Sequence, residues 1–192
     1  MSIVRNFSRL GSICFIFLRK LKYYLISDSK QWMRGRSQPV LFKNYLSLEL
    51  GDNVCFGVES SPYFFTGYGY IDCRLPTDII RIGNNCHFNN NIVLITRGAN
   101  IIIGDNCLFG INVSIVNSDF HDLDPKNRFS PVSIKSGDVE IEENVFCGND
   151  VKILKNVRIG KNTIVAAGSV VTKDLPSNVI AAGNPAMVIK KI

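Results

Sequence analysis

The sequence predicts an all-β fold, a β-helix wound from six-residue units that each contain a short strand and a turn. Residues 141–176 divide into six consecutive blocks of six residues, and every block opens with an apolar residue. The fifth position of each block holds Val, Thr, Ser or Leu. This period fits neither a helix nor a hairpin. It is typical of a solenoid whose strands bury one row of side chains against the neighbouring coils.

The same register extends towards the N-terminus as far as residue 82. All twelve block-opening positions from there to residue 171 are apolar, in a chain that is 46% hydrophobic. These positions are Ile82, Phe88, Leu94, Ile103, Phe109, Ile115, Ile141, Cys147, Ile153, Ile159, Val165 and Val171. Three blocks form one coil of a triangular prism, so four regular coils are predicted.

The distances between coil starts indicate where the prism is interrupted. Regular coils start at Ile82, Ile103 and Ile141, which leaves three extra residues in the first interval and twenty in the second. The short insertion is predicted near residues 97–102, and the long one is predicted as a loop excursion at residues 121–140. A loop of that length without its own periodicity is usually functional.

The chain before residue 82 enters the repeat gradually. Leu50 and Phe56 open two blocks, after which the aromatic and glycine-rich segment 62–70 breaks the register. Gly67 and Gly69 lack the third glycine and the following helix of a dinucleotide-binding fingerprint. We predict imperfect coils with a surface excursion, whose aromatic residues pack against the fold first and contact an acceptor second.

The N-terminal residues differ from the rest, so we predict a basic and apolar helical segment at 1–45 and a β-helix at 46–192. The apolar run 10–18 has about half of the ~20 residues that a membrane-spanning helix needs, and no small-residue cleavage site follows it. Neither a membrane span nor a signal peptide is predicted. Two alternatives remain: a helix packed on the β-helix or on a neighbouring subunit, and a basic amphipathic helix on an anionic membrane face.

The composition narrows the choice of partners and compartment. The net charge of +6 favours an anionic partner, such as nucleic acid, a phosphate-rich cofactor or a membrane surface, without choosing among them. The six cysteines show no CxxC pair and no metal-ligand spacing. We interpret them as reduced packing residues of a cytoplasmic protein.

Several motifs resemble those of the hexapeptide-repeat acyltransferases, and among these the sugar and polysaccharide O-acetyltransferases. They are the repeats themselves, the long loop that begins at His121 with Asp124-Pro125 and Arg128 after it, the run 166–174 (AAGSVVTKD), and the ending 181–186 (AAGNPA). The resemblance covers residues 50–192. It implies a left-handed parallel β-helix, a homotrimer, acetyl-CoA as the donor and a sugar hydroxyl as the acceptor. It also suggests a surface-polysaccharide precursor as acceptor, at the inner face of the cell membrane.

Transfer of an acetyl group from a thioester to an alcohol needs a base that takes the hydroxyl proton, and histidine is the natural base near neutral pH. The chain has two histidines. His87 ends an ordinary block and is predicted to be structural or merely exposed. His121 matches the catalytic histidine of the family and is the predicted general base.

Other catalytic roles are assigned by position and by the resemblance. Asp119 is the first choice for a carboxylate that orients His121, with Asp122 and Asp124 as alternatives; each of these also suits an ordinary turn. Asn89 matches an asparagine that contacts the acceptor in the family, although an ordinary turn asparagine is equally expected.

The donor site is assigned by the same resemblance. A backbone N–H near Gly148 and Asn149 is the expected oxyanion donor. The backbone of Ala166, Ala167 and Gly168 is expected to lie along the pantetheine arm of the donor. Thr172, Lys173 and Lys190 match positions that contact its nucleotide end. Three departures from the family pattern are Phe146 in place of a tryptophan, Lys155-Asn156 in place of Pro-Gly, and Met187 in place of a basic residue.

Other functions receive less support from the sequence. A thiol intermediate on Cys147 is not expected, because its block position points it into the prism. A zinc enzyme similar to the γ-class carbonic anhydrases needs three histidines, and the chain has two. No metal and no nucleic-acid partner are therefore expected. The remaining alternatives are N-acetylation of an amino sugar and a non-catalytic β-helix that only binds a partner.

Overall fold

The computed structural model of the protein describes residues 2–28, 30, 37–44 and 48–192, with only the backbone for residues 2–9. In these residues one α-helix, α1 (Ser2–Ile26), precedes a series of short strands. The strands are β1 (Val40–Lys43), β2 (Leu48–Leu50), β3 (Cys55–Phe56), β4 (Gly69–Cys73), β5 (Ile80–Ile82), β6 (His87–Phe88), β7 (Val93–Thr96), β8 (Ile101–Ile103), β9 (Leu108–Phe109), β10 (Ser114–Val116), β11 (Val139–Ile141), β12 (Phe146–Cys147), β13 (Lys152–Ile153), β14 (Val157–Ile159), β15 (Ile164–Val165), β16 (Val170–Val171), β17 (Val179–Gly183) and β18 (Ala186–Lys191).

From β1 to β16 every third strand joins the same sheet, so the chain winds around a triangular prism. The first sheet has the order β1-β4-β7-β10-β13-β16, the second β14-β11-β8-β5-β2, and the third β18-β17-β15-β12-β9-β6-β3. Neighbouring strands pair in parallel, apart from the antiparallel hairpin of β17 and β18. The described part of the chain is therefore a parallel β-helix, as the six-residue period predicted.

The interior of the prism confirms the predicted register. All twelve block-opening side chains are buried, with at most 3% of their surface exposed. In the third sheet the rings of Phe56, Phe88 and Phe109 stack in successive coils, with centroid separations of 5.0 and 4.6 Å. Side chains of the same sequence position thus lie directly above one another along the prism axis.

The turns between the second and third sheets explain the frequent asparagine in the blocks. Six residues at this corner have a left-handed backbone with φ between 55° and 61°. They are Asn53, Asn85, Asn106, Asn144, Asn162 and Asn178. Asparagine tolerates this conformation better than most residues. The asparagine side chains also bond to one another between coils, as in the 2.8 Å contact from Asn144 to Asn162.

Close stacking of the turns explains the glycine that often follows the opening residue. A Cβ atom added at Gly83 would lie 2.7 Å from the carbonyl carbon of Gly104 in the next coil. A Cβ atom added at Gly148 would likewise lie 2.7 Å from the backbone nitrogen of Ala167. Adjacent turns can approach this closely because the glycines carry no side chain.

Helix α1 confirms the predicted N-terminal helix, and it packs on the N-terminal end of the same chain's β-helix. The Ser27 hydroxyl accepts a 3.0 Å hydrogen bond from the N–H of Phe42 in β1, and the N–H of Asp28 donates to the Phe42 carbonyl at 2.8 Å. The Arg19 guanidinium donates to the carbonyls of Phe64 and Gly67. The helix is therefore joined to the prism at its C-terminal end and along one side.

The boundary predicted between residues 45 and 46 lies outside the described residues. Strand β1 precedes it, and pairs in parallel with β4 from Val40 opposite Gly69 onwards. The β-helix thus includes residues that the sequence analysis assigned to the helical segment. The reason is that β1 has the alternating burial of an ordinary strand and no six-residue block in front of it.

Candidate active site

The long loop leaves the prism after β10 and returns at β11, so it comprises residues 117–138. The predicted bounds of 121–140 were too late at both ends. Val139 already pairs with Ile101, and both Val139 and Ile141 are buried. Strands of this sheet have two inward positions, and the six-residue register counts from the second of them. Counting from Ile141 therefore placed the return of the chain two residues late.

Hydrogen bonds between the first and last residues of the loop hold its two ends together. We call these paired ends the neck of the loop. The Asn117 carbonyl accepts a 3.0 Å hydrogen bond from the N–H of Gly137, and the Asp119 N–H donates to the Lys135 carbonyl at 3.0 Å. The Asn117 side chain also accepts a 2.8 Å bond from the N–H of Arg97. This neck fixes the segment that leads to His121.

His121 is exposed, and its ring is held by the other side of the same loop. Its Nδ1 atom lies 3.1 Å from the carbonyl oxygen of Arg128. A carbonyl oxygen can only accept a hydrogen bond, so the contact places the proton on Nδ1. The Nε2 atom of the neutral ring then presents a lone pair, which is the form that a general base requires.

The residue before the histidine has an unusual backbone. Phe120 has φ of 61°, a left-handed conformation that is a genuine outlier for a bulky side chain. Its N–H donates to the Ser118 hydroxyl at 3.1 Å, and its carbonyl accepts from the Arg97 guanidinium at 3.1 Å. The Arg74 guanidinium lies 4.6 Å from the centre of the Phe120 ring. Strained backbone of this kind concentrates at functional sites, where surrounding contacts maintain it.

Asp119 does not make the contact that the sequence analysis preferred for it. One carboxylate oxygen pairs with the ammonium group of Lys155, in the turn after β13. The other, Oδ2, is buried and has no hydrogen-bond partner among the described residues. The contact that orients His121 comes from the Arg128 carbonyl, and Asp119 instead ties the base of the loop to the next coil. Lys155, one of the departures from the family pattern, supplies the other half of that ion pair.

Asp122, the residue after the histidine, organises the loop. Its carboxylate accepts three backbone hydrogen bonds, from Asp124 at 2.9 Å, Val132 at 3.2 Å and Ser133 at 2.9 Å. These bonds lower the pKa of the Asp122 carboxyl below its ordinary value. The carboxylate therefore stays ionised at neutral pH and joins the two arms of the loop just beyond His121. Sequence reasoning weighed Asp122 only as an alternative, and its sole signal was the position next to His121.

We predict that replacing Asp122 by Ala slows acetyl transfer by about tenfold to a hundredfold, because a displaced base loses its alignment with the acceptor. The loss should appear in kcat, with a smaller change in the KM for the donor. Steady-state kinetics on both substrates measure this. Asp124→Ala is the matched control, since among the described residues the Asp124 carboxylate bonds to a single group, the N–H of Lys126 in the adjacent 3₁₀ turn, Pro125–Asn127. Equal losses for both variants would contradict the role given to Asp122.

The other predicted catalytic and donor-binding residues lie mostly on a different edge of the prism. Turns from the third sheet to the first hold Asn89, Gly148, Asn149, Ala166, Ala167 and Gly168. The structure brings these residues together, because the turns stack directly on one another. Thr172 and Lys173 lie instead on the edge between the first and second sheets, which the His121 loop also leaves. Lys190 lies in β18, and all three are exposed.

Some of these groups already have internal hydrogen bonds. The Gly148 N–H donates to the Val165 carbonyl at 2.8 Å, so it is part of the ladder between coils. No hydrogen bond among the described residues uses the N–H of Asn149. The Asn89 amide donates to the Ser61 hydroxyl at 3.2 Å, and its oxygen accepts from the N–H of Asn90 at 2.8 Å. Of the predicted oxyanion pair, only Asn149 therefore has an N–H available for a ligand.

Cys147 and His87 lie where the sequence predicted. Cys147 is fully buried, and burial raises the pKa of its thiol to about 12. The thiol is thus protonated at neutral pH and out of reach of a substrate. His87 lies in strand β6, where its side chain is exposed. In the part of the chain that the structure describes, no group of three or more acidic, histidine or cysteine residues could hold a metal ion.

Comparisons with known proteins agree with this architecture. The family described as bacterial transferase hexapeptide (six repeats) matches residues 138–173, and the one described as hexapeptide repeat of succinyl-transferase matches residues 100–117. The chain is 34% identical over 177 residues to the galactoside O-acetyltransferase of Lactococcus lactis, which covers 92% of this chain and 75% of that protein. It is 41% identical over 131 residues to the Saccharomyces cerevisiae protein YJL218W, which covers 68% of this chain and 61% of the yeast protein.

A solved structure shares the fold. The hexapeptide-repeat acetyltransferase VCA0836 of Vibrio cholerae, in complex with acetyl coenzyme A, has a TM-score of 0.59 and 30% identity, covering 74% of this chain and 70% of that one. The predicted left-handed parallel β-helix is thereby confirmed. Since the similarity to the Lactococcus enzyme extends over most of both chains, the protein belongs to the hexapeptide-repeat acetyltransferases.

Proposed function

We propose that the protein moves an acetyl group from acetyl-CoA to a hydroxyl group of a sugar, with His121 as the general base. The observation that carries this proposal is the His121 ring, exposed on its loop, with Nδ1 held by the Arg128 carbonyl and with no hydrogen bond to Nε2 among the described residues. Two similar proteins suggest the substrates. The Lactococcus protein is a galactoside O-acetyltransferase, and the structure of VCA0836 is a complex with acetyl coenzyme A.

The reaction needs no covalent intermediate on the protein. His121 Nε2 takes the proton of the sugar hydroxyl as its oxygen forms a bond to the thioester carbonyl carbon. The carbon–sulfur bond then breaks, and the imidazolium returns the proton to the CoA sulfur. General-base catalysis of this kind contributes about 10²–10⁴-fold. Burial of the Cys147 thiol favours this direct route over acetylation of the protein.

The Asn149 N–H is the proposed oxyanion donor. Its neighbour Gly148 already donates its N–H to the Val165 carbonyl. A well-aimed backbone N–H in a site that excludes water is worth about 2.7–4 kcal/mol of transition-state stabilisation.

The donor arm would run over small residues, and its phosphates would meet lysines. Ala167 and Gly168 are exposed, and a Cβ atom added at Gly168 would meet no atom within 4 Å. This surface therefore has room for an extended pantetheine chain. Lys173 and Lys190 are exposed and can place their charges on phosphate groups. The exposed Met187 adds no charge in the same hairpin as Lys190.

The positions of the two groups favour a homotrimer with shared sites. The His121 loop leaves the edge between the first and second sheets, whereas residues 166–168 lie on the edge between the third and first. A second copy of the chain beside the first can place its residues 166–168 next to the His121 loop of the first copy. Rings of three identical subunits provide three such junctions.

Two further parts of the proposal concern the acceptor. A surface-polysaccharide precursor is the class we favour, with the reaction on the cytoplasmic side, where such precursors are assembled. Asn89 is the proposed acceptor contact, and the exposed aromatic residues of segment 62–70 lie in the same set of turns. N-acetylation of an amino sugar is the alternative, since the same base and donor site could perform it.

An acceptor panel tests the proposal. The full-length protein is incubated in solution with acetyl-CoA and, separately, with galactosides, other neutral sugars, nucleotide sugars and amino sugars, and release of the CoA thiol is measured. We expect release with an acceptor that has only hydroxyl groups, and a product ester that hydroxylamine cleaves. A product formed only from amino sugars and resistant to hydroxylamine would establish the N-acetyl alternative. Failure to release CoA with any acceptor would contradict the proposed function.

A further inference from the structure

The excess of positive over negative charge lies in the N-terminal part of the chain. Residues 1–36 contain eight lysine and arginine residues and one acidic residue, Asp28, a net charge of +7. The other 156 residues contain fourteen basic and fifteen acidic residues, a net charge of −1. The net charge of +6 is therefore no evidence for a phosphate-binding donor site on the β-helix. It comes largely from α1, which contains five basic residues and no acidic one.

One side of helix α1 packs on the prism. Ile16 and Lys20 are buried, with 6% and 8% of their surfaces exposed, and Arg19 bonds to two carbonyls of segment 62–70. On the same side Tyr23 stacks on Tyr68 of that segment, with ring centroids 4.7 Å apart. The helix is thus rigidly attached, and its opposite side faces away from the protein.

That opposite side is apolar, where a surface helix is normally polar. We call Leu10, Phe17, Leu18 and Leu25 the outer face of α1. Leu10 and Leu25 each lie seven or eight residues from Phe17 and Leu18, which places the four along one stripe of the helix. Between 51% and 63% of each side chain is exposed. Lys22 is also exposed, and it lies within one turn of Leu18 and Leu25.

Segment 62–70 extends this apolar surface. Tyr63, Phe65 and Tyr68 keep between 39% and 50% of their surfaces exposed, and the Phe65 ring lies 6.4 Å from that of Phe15 in α1. Aromatic residues with a polar tip beside an apolar stripe are typical of protein surfaces at a membrane–water interface.

We propose that the outer face of α1 binds an anionic lipid bilayer, with the helix lying in the plane of the interface. A bilayer offers both things that this helix lacks: apolar chains for the leucines and phenylalanine, and negative headgroups for the exposed Lys22 and the net positive charge of the helix. A second copy of the helix would cover the apolar stripe but would bring together two basic helices that have no acidic residue to offset their charge. No described helix is long and apolar enough to cross a membrane.

Vesicle binding tests this inference, which does not depend on the proposed function. The full-length protein is sedimented with vesicles of phosphatidylcholine alone and with vesicles of phosphatidylcholine and phosphatidylglycerol in equal parts. We expect binding at least about tenfold tighter to the anionic vesicles, since each lysine or arginine near the surface contributes about fivefold. Equal binding to both vesicles, or binding to neither, would overturn the proposal.

Matched pairs of variants locate the contact. Leu18→Gln should weaken binding to anionic vesicles by about tenfold through lost apolar burial, and Leu75→Gln, at an exposed leucine on the β-helix, should not. Lys22→Gln should weaken it by about fivefold, and Lys152→Gln in β13 should not. Sedimentation velocity of each variant gives the oligomeric state. If Leu18→Gln dissociated the oligomer and left vesicle binding unchanged, the outer face would be a contact between copies and the proposal would be wrong.

Discussion

Replacement of His121 by Ala is expected to slow acetyl transfer by about 10²–10⁴-fold and to leave a folded protein that still binds CoA. The reason is that the variant lacks the Nε2 lone pair, whereas the described structural contact of His121 is a single bond to the Arg128 carbonyl. His121 is exposed, so removal of its ring creates no cavity in the core. The loss should therefore lie in kcat.

Three measurements separate the loss of a base from damage to the fold. Turnover is measured by CoA release, donor affinity by calorimetry with CoA, and stability by denaturant unfolding. His87→Ala is the matched control, because His87 is the only other histidine and its side chain is also exposed. We expect that variant to keep its turnover within about twofold, as for a surface substitution. Normal turnover in His121→Ala would show that another group removes the hydroxyl proton.

The sequence was sufficient to predict the prism, because the six-residue period determines which side chains point inwards. An inward position must be apolar in every coil, so an insertion between coils is recognised as a change in the spacing of the apolar residues. The same rule failed at β1, which has alternating burial but no block in front of it. It also misplaced the return of the long loop by two residues, since strand β11 has two buried positions, Val139 and Ile141.

The geometry of the loop could not be predicted, because it depends on contacts that have no period. The Arg128 carbonyl lies beside His121 in a loop whose two arms are joined by Asp122. The left-handed backbone of Phe120 depends on Arg97, more than twenty residues earlier in the sequence. A single sequence gives no sign of either contact. Asp119 was preferred over Asp122 for the same reason, although the ion pair with Lys155 assigns it to the neck of the loop.

The net charge was the least reliable predictor of a binding partner, because a single total does not show where along the chain the charged residues lie. A net charge of +6 suggested an anionic partner for the whole chain, without choosing among nucleic acid, a phosphate-rich cofactor and a membrane surface. The β-helix part is nearly neutral, and the lysines proposed to hold the donor phosphates are few. The separation of charge between α1 and the prism became informative only when the structure showed which side of α1 packs on the prism and which is exposed.

The second large effect is expected in the core, where Phe109→Ala should lower the free energy of unfolding by about 3–5 kcal/mol. The Phe109 ring is 3% exposed and stacks on the Phe88 ring at 4.6 Å. On its other side, Phe109 is opposite Cys147 of the next coil in the parallel ladder. Backbone hydrogen bonds hold the coils at a fixed spacing, so neighbouring side chains cannot move in to fill the cavity. The loss should therefore lie in the upper part of the usual range.

Leu108→Ala is the matched control for this prediction, because Leu108 precedes Phe109 in the same strand and points to the opposite face with 48% of its surface exposed. We expect it to lose less than about 1 kcal/mol. Guanidinium unfolding at one protein concentration measures both variants, since an oligomer's stability depends on concentration. A strand alternates its side chains between two faces, so a register wrong by one residue would exchange the two results. A large loss at Leu108 and a small loss at Phe109 would therefore contradict the inward assignment of the block-opening residues, on which the whole prism depends.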